Sequence, residues 1–191
     1  MRVGEPVPPA LAGALVLDAA GRASPLGERW AGRACLVVFL RHFGCSACSE
    51  HVTALAPRLG ELARLGVSTV FVGNGAPSFM AGFIERLGLD RLPVELVTDP
   101  TLKAFAAAGL VRSAWSVAGP RALALKLRGL AAGHVQERVE GDLKQQGGVL
   151  VVDRAGRVAY VWRDRSVGDH APMGDVVDAA LRVTVQGAVL A

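Results

Sequence analysis

The chain has 191 residues, is 51% hydrophobic and carries a formal net charge of +4, nearly all of the positive charge coming from Arg. That is about one domain's worth of chain with ample apolar material for a core, and its scattered basic residues leave no nucleic-acid footprint. No run approaches the ~18 apolar residues a membrane helix needs, and Ala10 to Leu17 is too short and too broken by Gly13 for a secretory leader; the expected compartment is the cytoplasm, where structural disulfides are uncommon.

In chain order, Pro6, Pro8 and Pro9 predict an extended or irregular start. Leu15 to Asp18 reads as a short strand, followed by a turn and a second short element near Pro25 to Trp30. The run Cys35 to Leu40 has the Val-Val-Phe content of a buried central strand. From Cys45 to about Leu65 the apolar positions Cys48, Val52, Leu55, Leu59 and Leu62 repeat at steps of four and three, one face of an α-helix. Pro57 lies inside that helix and predicts a kink, because it cannot donate to the Thr53 carbonyl; Gly66 predicts its stop.

Val67 to Val72 is the next buried strand. A helix from about Pro77 to Leu87 follows, then a strand from Pro93 to Val97 and a short helix from Thr101 to Ala108. Residues 110–135 read as a helical insertion, with Leu123, Leu127 and Leu130 on one face after Pro120. Val135 to Leu143 reads as a polar surface loop. Val149 to Val152, the turn Asp153-Arg154-Ala155-Gly156 and Val158 to Trp162 form a β-hairpin, and Pro172 to Leu181 is the last helix. The alternation β-α-β-α-β-α, then hairpin and helix, calls for a mixed sheet covered by helices on both faces.

The chemistry concentrates where the first central strand hands over to the long helix, in Arg41-His42-Phe43-Gly44-Cys45-Ser46-Ala47-Cys48. Unpaired N–H groups and the helix dipole at an N-terminus favour a thiolate over a thiol, and a Cys-x-x-Cys there is a recognised way to lower a Cys pKa. Cys45, nearer the helix end, is the expected attacking sulfur; Cys48, one turn in, is the expected resolving sulfur. Arg41 and His42 add potential positive charge beside Cys45, although Arg41 also fits an ordinary surface pair with Glu50. A zinc half-site and an inert pair are the alternatives. Structural zinc usually takes four ligands, the third cysteine, Cys35, reads as core, and His42, His51, His134 and His170 form no second tight pair. No metal and no organic cofactor are expected.

Together with Gln146-Gly147-Gly148 before the late strand, and with Arg163-Asp164-Arg165 to Gly168-Asp169-His170 after the hairpin, this segment resembles the peroxiredoxin-like branch of the thioredoxin-like fold, the alkyl hydroperoxide reductase and thiol-specific antioxidant superfamily. The resemblance covers most of residues 10–182. It implies an α/β, thioredoxin-like (peroxiredoxin-like) mixed central sheet with helices on both faces, in a single domain over 1–191. The sequence departs from the family pattern at three places. Val38 stands where peroxiredoxins carry a Pro, His42 stands where they carry a Thr, and Gln146 and Gly147 occupy the region of an expected second Arg.

Thioredoxins place a proline before the late strand; here Gly147 or Gly148 stands there, read either as room for a docking substrate or as relief of crowding beside the Cys loop. The loop residues Arg163, Arg165 and His170 read first as solvated capping positions. The resemblance implies a thiol-dependent oxidoreductase reducing peroxides or disulfides, with an external dithiol of the thioredoxin type as donor and with a homodimer as one assembly open to it. The alternatives on the same fold are a non-catalytic redox sensor or binding module, and a scaffold with an idle Cys pair.

Overall fold

Both faces of the central strand β3, Ala34–Phe39, are buried along its whole length, which is why its sequence is a continuous apolar run rather than an alternating one. In the computed structural model, which describes residues 1–113, 141–166 and 168–188, β3 lies inside a mixed sheet with β1 (Leu15–Leu17), β2 (Ala23–Pro25), β4 (Val67–Gly73), β5 (Val94–Thr98), β6 (Gly148–Val152) and β7 (Val158–Arg163). Among the described residues the strand order is β2-β1-β5-β4-β3-β6-β7. β3 runs parallel to β4, and β4 parallel to β5. β6 pairs antiparallel with β3, setting Phe39 opposite Gly148.

Helices cover both faces. On one, α2 (Ser46–Arg64), α3 (Met80–Leu87) and α5 (Met173–Ala188) pack against Leu36, Val38, Phe71, Val149 and Val151. The α2 stripe Val52, Leu55, Leu59 and Leu62 is fully buried here, each side chain contributing roughly 1.5–3 kcal/mol. On the other face, α1 (Pro9–Ala12), a 3₁₀ turn at Leu26–Trp30 and α4 (Lys103–Ala107) pack against Cys35, Val37, Val70, Val72, Leu150 and Val152. Cys35 is thus walled off by the sheet from Cys45 and Cys48, which belong to the first cluster.

The expected element order holds, with local corrections. The proline-rich start contains the turn of helix α1, because Pro8 and Pro9 sit at its N-cap and first position, where a missing N–H costs nothing. Leu102 takes a left-handed φ of 61°, so α4 opens only at Lys103, with Asp99 accepting from the Ala104 N–H at 2.7 Å. The last helix runs on past Leu181 to Ala188, because Val183 extends the buried row of Val176, Val177 and Ala180. The helices expected within the insertion at 110–135 fall on residues 114–140, outside the described residues, as does most of the polar loop expected at 135–143.

Candidate active site

β3 delivers its last residue at the C-terminal edge of three parallel strands, the edge at which ligands meet open α/β sheets. The chain then turns over the sheet through Arg41 to Gly44 and enters α2 with Cys45 as N-cap, in extended conformation (φ −82°, ψ 114°). Phe43 anchors the turn. Its ring packs on Phe83 with centroids 5.4 Å apart and lies so close to Gly73 that any Cβ there would meet it. Arg86 Nη2 donates to the Phe43 carbonyl at 2.6 Å.

All three cysteines are free thiols. Cys45 and Cys48 are nearly inaccessible, 5% and 2% exposed, and their acidities split. Hydrogen bonding from the Cys48 thiol, helped against burial by Arg41, the Cys48 backbone N–H and His170, pulls Cys45 down to about 6. Burial and the adjacent Cys45 push Cys48 well above the ordinary thiol range. Burial alone is the main cause that pushes Cys35 to about 12, so it stays an inert thiol.

Arg41 is neither exposed nor paired with Glu50. It is 2% exposed, and Nη2 donates to the Leu143 carbonyl at 2.5 Å. Among the described residues, Nε and Nη1 are buried without a hydrogen-bond partner. Asn74, at the end of β4, fixes this corner: Nδ2 donates to the Arg41 carbonyl, and Oδ1 accepts from the Asp142 N–H at 2.9 Å.

His42 does not supply the expected positive charge. It is buried, and burial together with the neighbouring Arg41 pulls its pKa down to about 4. It is neutral at pH 7 and is not among the principal influences on Cys45.

His170, expected as a solvated loop residue, is instead half-buried against the cysteines. Its Nδ1 lies 3.4 Å from Oδ2 of the buried Asp164, and its ring stacks on His51 with centroids 4.6 Å apart. Burial opposes its positive charge, but Asp164, Cys45 and the Ala47 backbone outweigh that and raise its pKa. Burial raises the pKa of Asp164 while His170 works to lower it. His51 is buried and neutral, pulled down to about 3 chiefly by desolvation.

The loop carrying the pair is held by Asp169, whose Oδ2 accepts from the Arg165 N–H at 3.0 Å, and by Trp162 Nε1 donating to the Asp169 carbonyl at 3.1 Å. Arg163 and Arg165 point elsewhere: Arg163 Nε donates to the Ala108 carbonyl, and Arg165 pairs with Asp169.

Gly147 and Gly148 have packing reasons for lacking a side chain. A Cβ at Gly147 would stand 2.8 Å from both Asp164 Oδ2 and the Phe39 carbonyl. One at Gly148 would stand 2.5 Å from the Trp162 carbonyl. Relief of crowding is therefore observed at both positions, and at Gly147 the crowding group is the carboxylate that holds His170. Sequence reasoning missed Asp164, His170 and His51 as a cluster; the available signal was the Gly-Asp-His run directly after an aromatic strand. Among the described residues no group of His, Cys, Asp and Glu is arranged to hold a metal ion, and no helix is long and apolar enough to cross a membrane.

Residues 54–166 match the family model described as AhpC/TSA antioxidant enzyme, a span that begins after the two cysteines. The chain is 35% identical over 167 residues to the prostamide/prostaglandin F synthase of Pongo abelii, covering 84% of this chain and 82% of that one. It is 29% identical over 186 residues to human Peroxiredoxin-like 2C, covering 91% and 80%. The bacterioferritin comigratory protein of Xanthomonas campestris superposes with a TM-score of 0.65 at 14% identity, over 97% of this chain and 99% of that one. At that identity the likeness shows the fold, the expected thioredoxin-like fold of peroxiredoxins.

Proposed function

The chain belongs to the AhpC/TSA antioxidant enzyme family, and from that premise we propose that it reduces peroxides with Cys45 as attacking thiolate and Cys48 as resolving thiol. The observation that carries this reading is the placement of the two sulfurs: Cys45 caps α2, while Cys48, one turn on, accepts from the Arg41 N–H at 3.2 Å. The Cys48 thiol and Arg41 favour a thiolate on Cys45, and burial with Cys45 keeps the proton on Cys48. The thiolate attacks one peroxide oxygen and becomes a sulfenic acid, and Cys48 then displaces that oxygen to form a disulfide. A dithiol of the thioredoxin type resets the pair by exchange.

Arg41 supports the transition state. Its two unpartnered donors are available to the oxygen on which charge develops, in a site dry enough to make them count. The near-complete burial of Cys45 favours a small oxidant over a folded protein disulfide. The O–O bond is the group attacked, so an organic endoperoxide is a second substrate of the same chemistry, in line with the name of the Pongo abelii relative. The remaining expectations, a single domain, a reducing compartment such as the cytoplasm and a homodimer, are carried as part of the proposal.

The test is stoichiometric hydrogen peroxide followed by timed alkylation and mass spectrometry, with Cys45→Ser as control. A Cys45–Cys48 disulfide within seconds, absent in the control, is expected. Thiols that persist for many minutes sink the peroxidase reading and leave the redox-sensor alternative.

A further inference from the structure

Behind Cys48 lies a small cavity lined by Cys48, His51, Asp164, His170, Gly148 and Val149, with about 10 Å³ of free space, roughly what one water needs. Val38, Phe39 and Leu40 line it too, so its polar groups, His51, Asp164 and His170, face a largely apolar wall. Among the described residues, His51 Nε2 and His170 Nε2 are both buried with no hydrogen-bond partner, while His170 Nδ1 is taken by Asp164. An imidazole held at one nitrogen by a buried carboxylate, on a cavity that a thiol also lines, has the arrangement of a base and its orienting group. We propose that His170, positioned by Asp164, is the base that removes the thiol proton of Cys48 across this cavity when Cys48 attacks oxidised Cys45. This rests on the peroxide-reduction reading above and supplies its second step.

The need for a base follows from the site itself. Cys48 has to become a thiolate to attack, yet burial and Cys45 hold its proton on. The titratable and charged groups around the pair are Cys45, Cys48 and His51 from α2, Arg41 from the segment after β3, and Asp169 from the same loop. His51 is too poor a proton acceptor, being held neutral down to about 3.

The cycle balances. Cys45 thiolate attacks peroxide, the S–O bond forms and the O–O bond breaks. Sulfur loses two electrons to the peroxide, and the alkoxide or hydroxide released takes the proton carried by His170. The negative charge of Cys45, one of the supports of the imidazolium, disappears in the same step. Neutral His170 then accepts the Cys48 proton. The Cys48 thiolate attacks Cys45 Sγ, the S–S bond forms as the S–O bond breaks, and hydroxide leaves as water with the proton from His170. An external dithiol reduces the disulfide, returning two electrons and two protons, one proton to Cys48 and one to His170.

The experiment follows the decay of oxidised Cys45 to the disulfide, by timed quenching and mass spectrometry, in wild type, His170→Gln and Asp164→Asn across pH 5 to 8. Two oxidants are used: hydrogen peroxide, which gives the sulfenic acid, and diamide, which contains no O–O bond. In wild type the decay should slow as pH falls through the ionisation of His170. In His170→Gln it should be slower by roughly 10²-fold at neutral pH, and it should climb about tenfold per pH unit because only the free thiolate route remains. Asp164→Asn should lie between the two.

Equal decay rates in wild type and both variants, with either oxidant, overturn the proposal, as does a wild-type rate that itself rises tenfold per unit throughout. The diamide arm separates the two readings. A wild type inert to peroxide but dependent on His170 with diamide defeats peroxide reduction and keeps His170 as the base for Cys48.

Discussion

The backbone N–H of Arg41 donates to Cys48 Sγ at 3.2 Å. The bond ties the buried sulfur of α2 to the end of β3 and leaves the Cys48 proton available to Cys45, the largest influence holding Cys45 as a thiolate. One residue thus acts on both sulfurs, its amide on Cys48 and its guanidinium charge on Cys45.

The first prediction concerns that donated proton. Alkylation of Cys45 should follow a titration with a midpoint near 6 in wild type, reactivity being present above that pH and lost below it. In Cys48→Ala the main support is gone while burial still opposes the charge, so the midpoint should rise to the ordinary thiol range of about 8.5 or above. A midpoint that stays near 6 in Cys48→Ala would show that the helix N-terminus and Arg41 suffice without the thiol.

Arg41 separates charge from geometry. Arg41→Lys keeps a cation beside Cys45 but loses the planar fork of donors. Its Cys45 titration should stay close to wild type while the second-order rate constant with peroxide drops by roughly 10²-fold. Arg41→Met should lose the rate and raise the midpoint, though less than Cys48→Ala does, because the Cys48 thiol remains the larger support. Stopped-flow peroxide consumption alongside alkylation reads the two effects separately, and a Lys variant as fast as wild type would leave the unpartnered Nε and Nη1 without a role.

Much of this architecture was legible because it is local. The step pattern from Cys48 to Leu62 predicts α2, and the helix start puts Cys45 at its cap, as found. The unbroken apolar run of β3 predicts a strand covered on both faces, as found. What stayed hidden depends on tertiary placement. Asp164 and His170 lie more than a hundred residues beyond Cys48 and reach it only through the pairing of β6 with β3 and β7 and the space left by Gly147. In the sequence Arg41 and His42 read alike, as potential positive charges beside Cys45. Only burial shows that one is an enclosed cation and the other a neutral ring.

The Cys loop should be sensitive to one methyl group on β4. A side chain at Gly73 would enter the space of the Phe43 ring, which is fully buried and cannot swing into solvent. Gly73→Ala should therefore destabilise by about 1–3 kcal/mol through overpacking. It should also slow Cys45 alkylation at pH 7, because Phe43 stands two residues before Cys45. Thermal denaturation and alkylation rate check the two consequences together. Loss of stability with unchanged alkylation would mean that the loop relaxes without moving Cys45.

Acid should weaken the fold through two buried histidines. Folded His42 and His51 resist protonation down to about 4 and about 3, whereas in the unfolded chain they titrate near 6.5. Below about 6.5 the unfolded state therefore binds more protons, and stability falls as pH falls. Each pH unit over which the states differ by one proton is worth about 1.4 kcal/mol. The loss continues until the folded rings themselves protonate. His170 and Asp164, both raised, act in the opposite sense, so the histidine contribution is isolated by difference. Between pH 6.5 and 4, the urea midpoint of a His42→Gln, His51→Gln double variant should fall less steeply than that of wild type. Parallel curves would contradict the burial of these rings as the source of acid sensitivity.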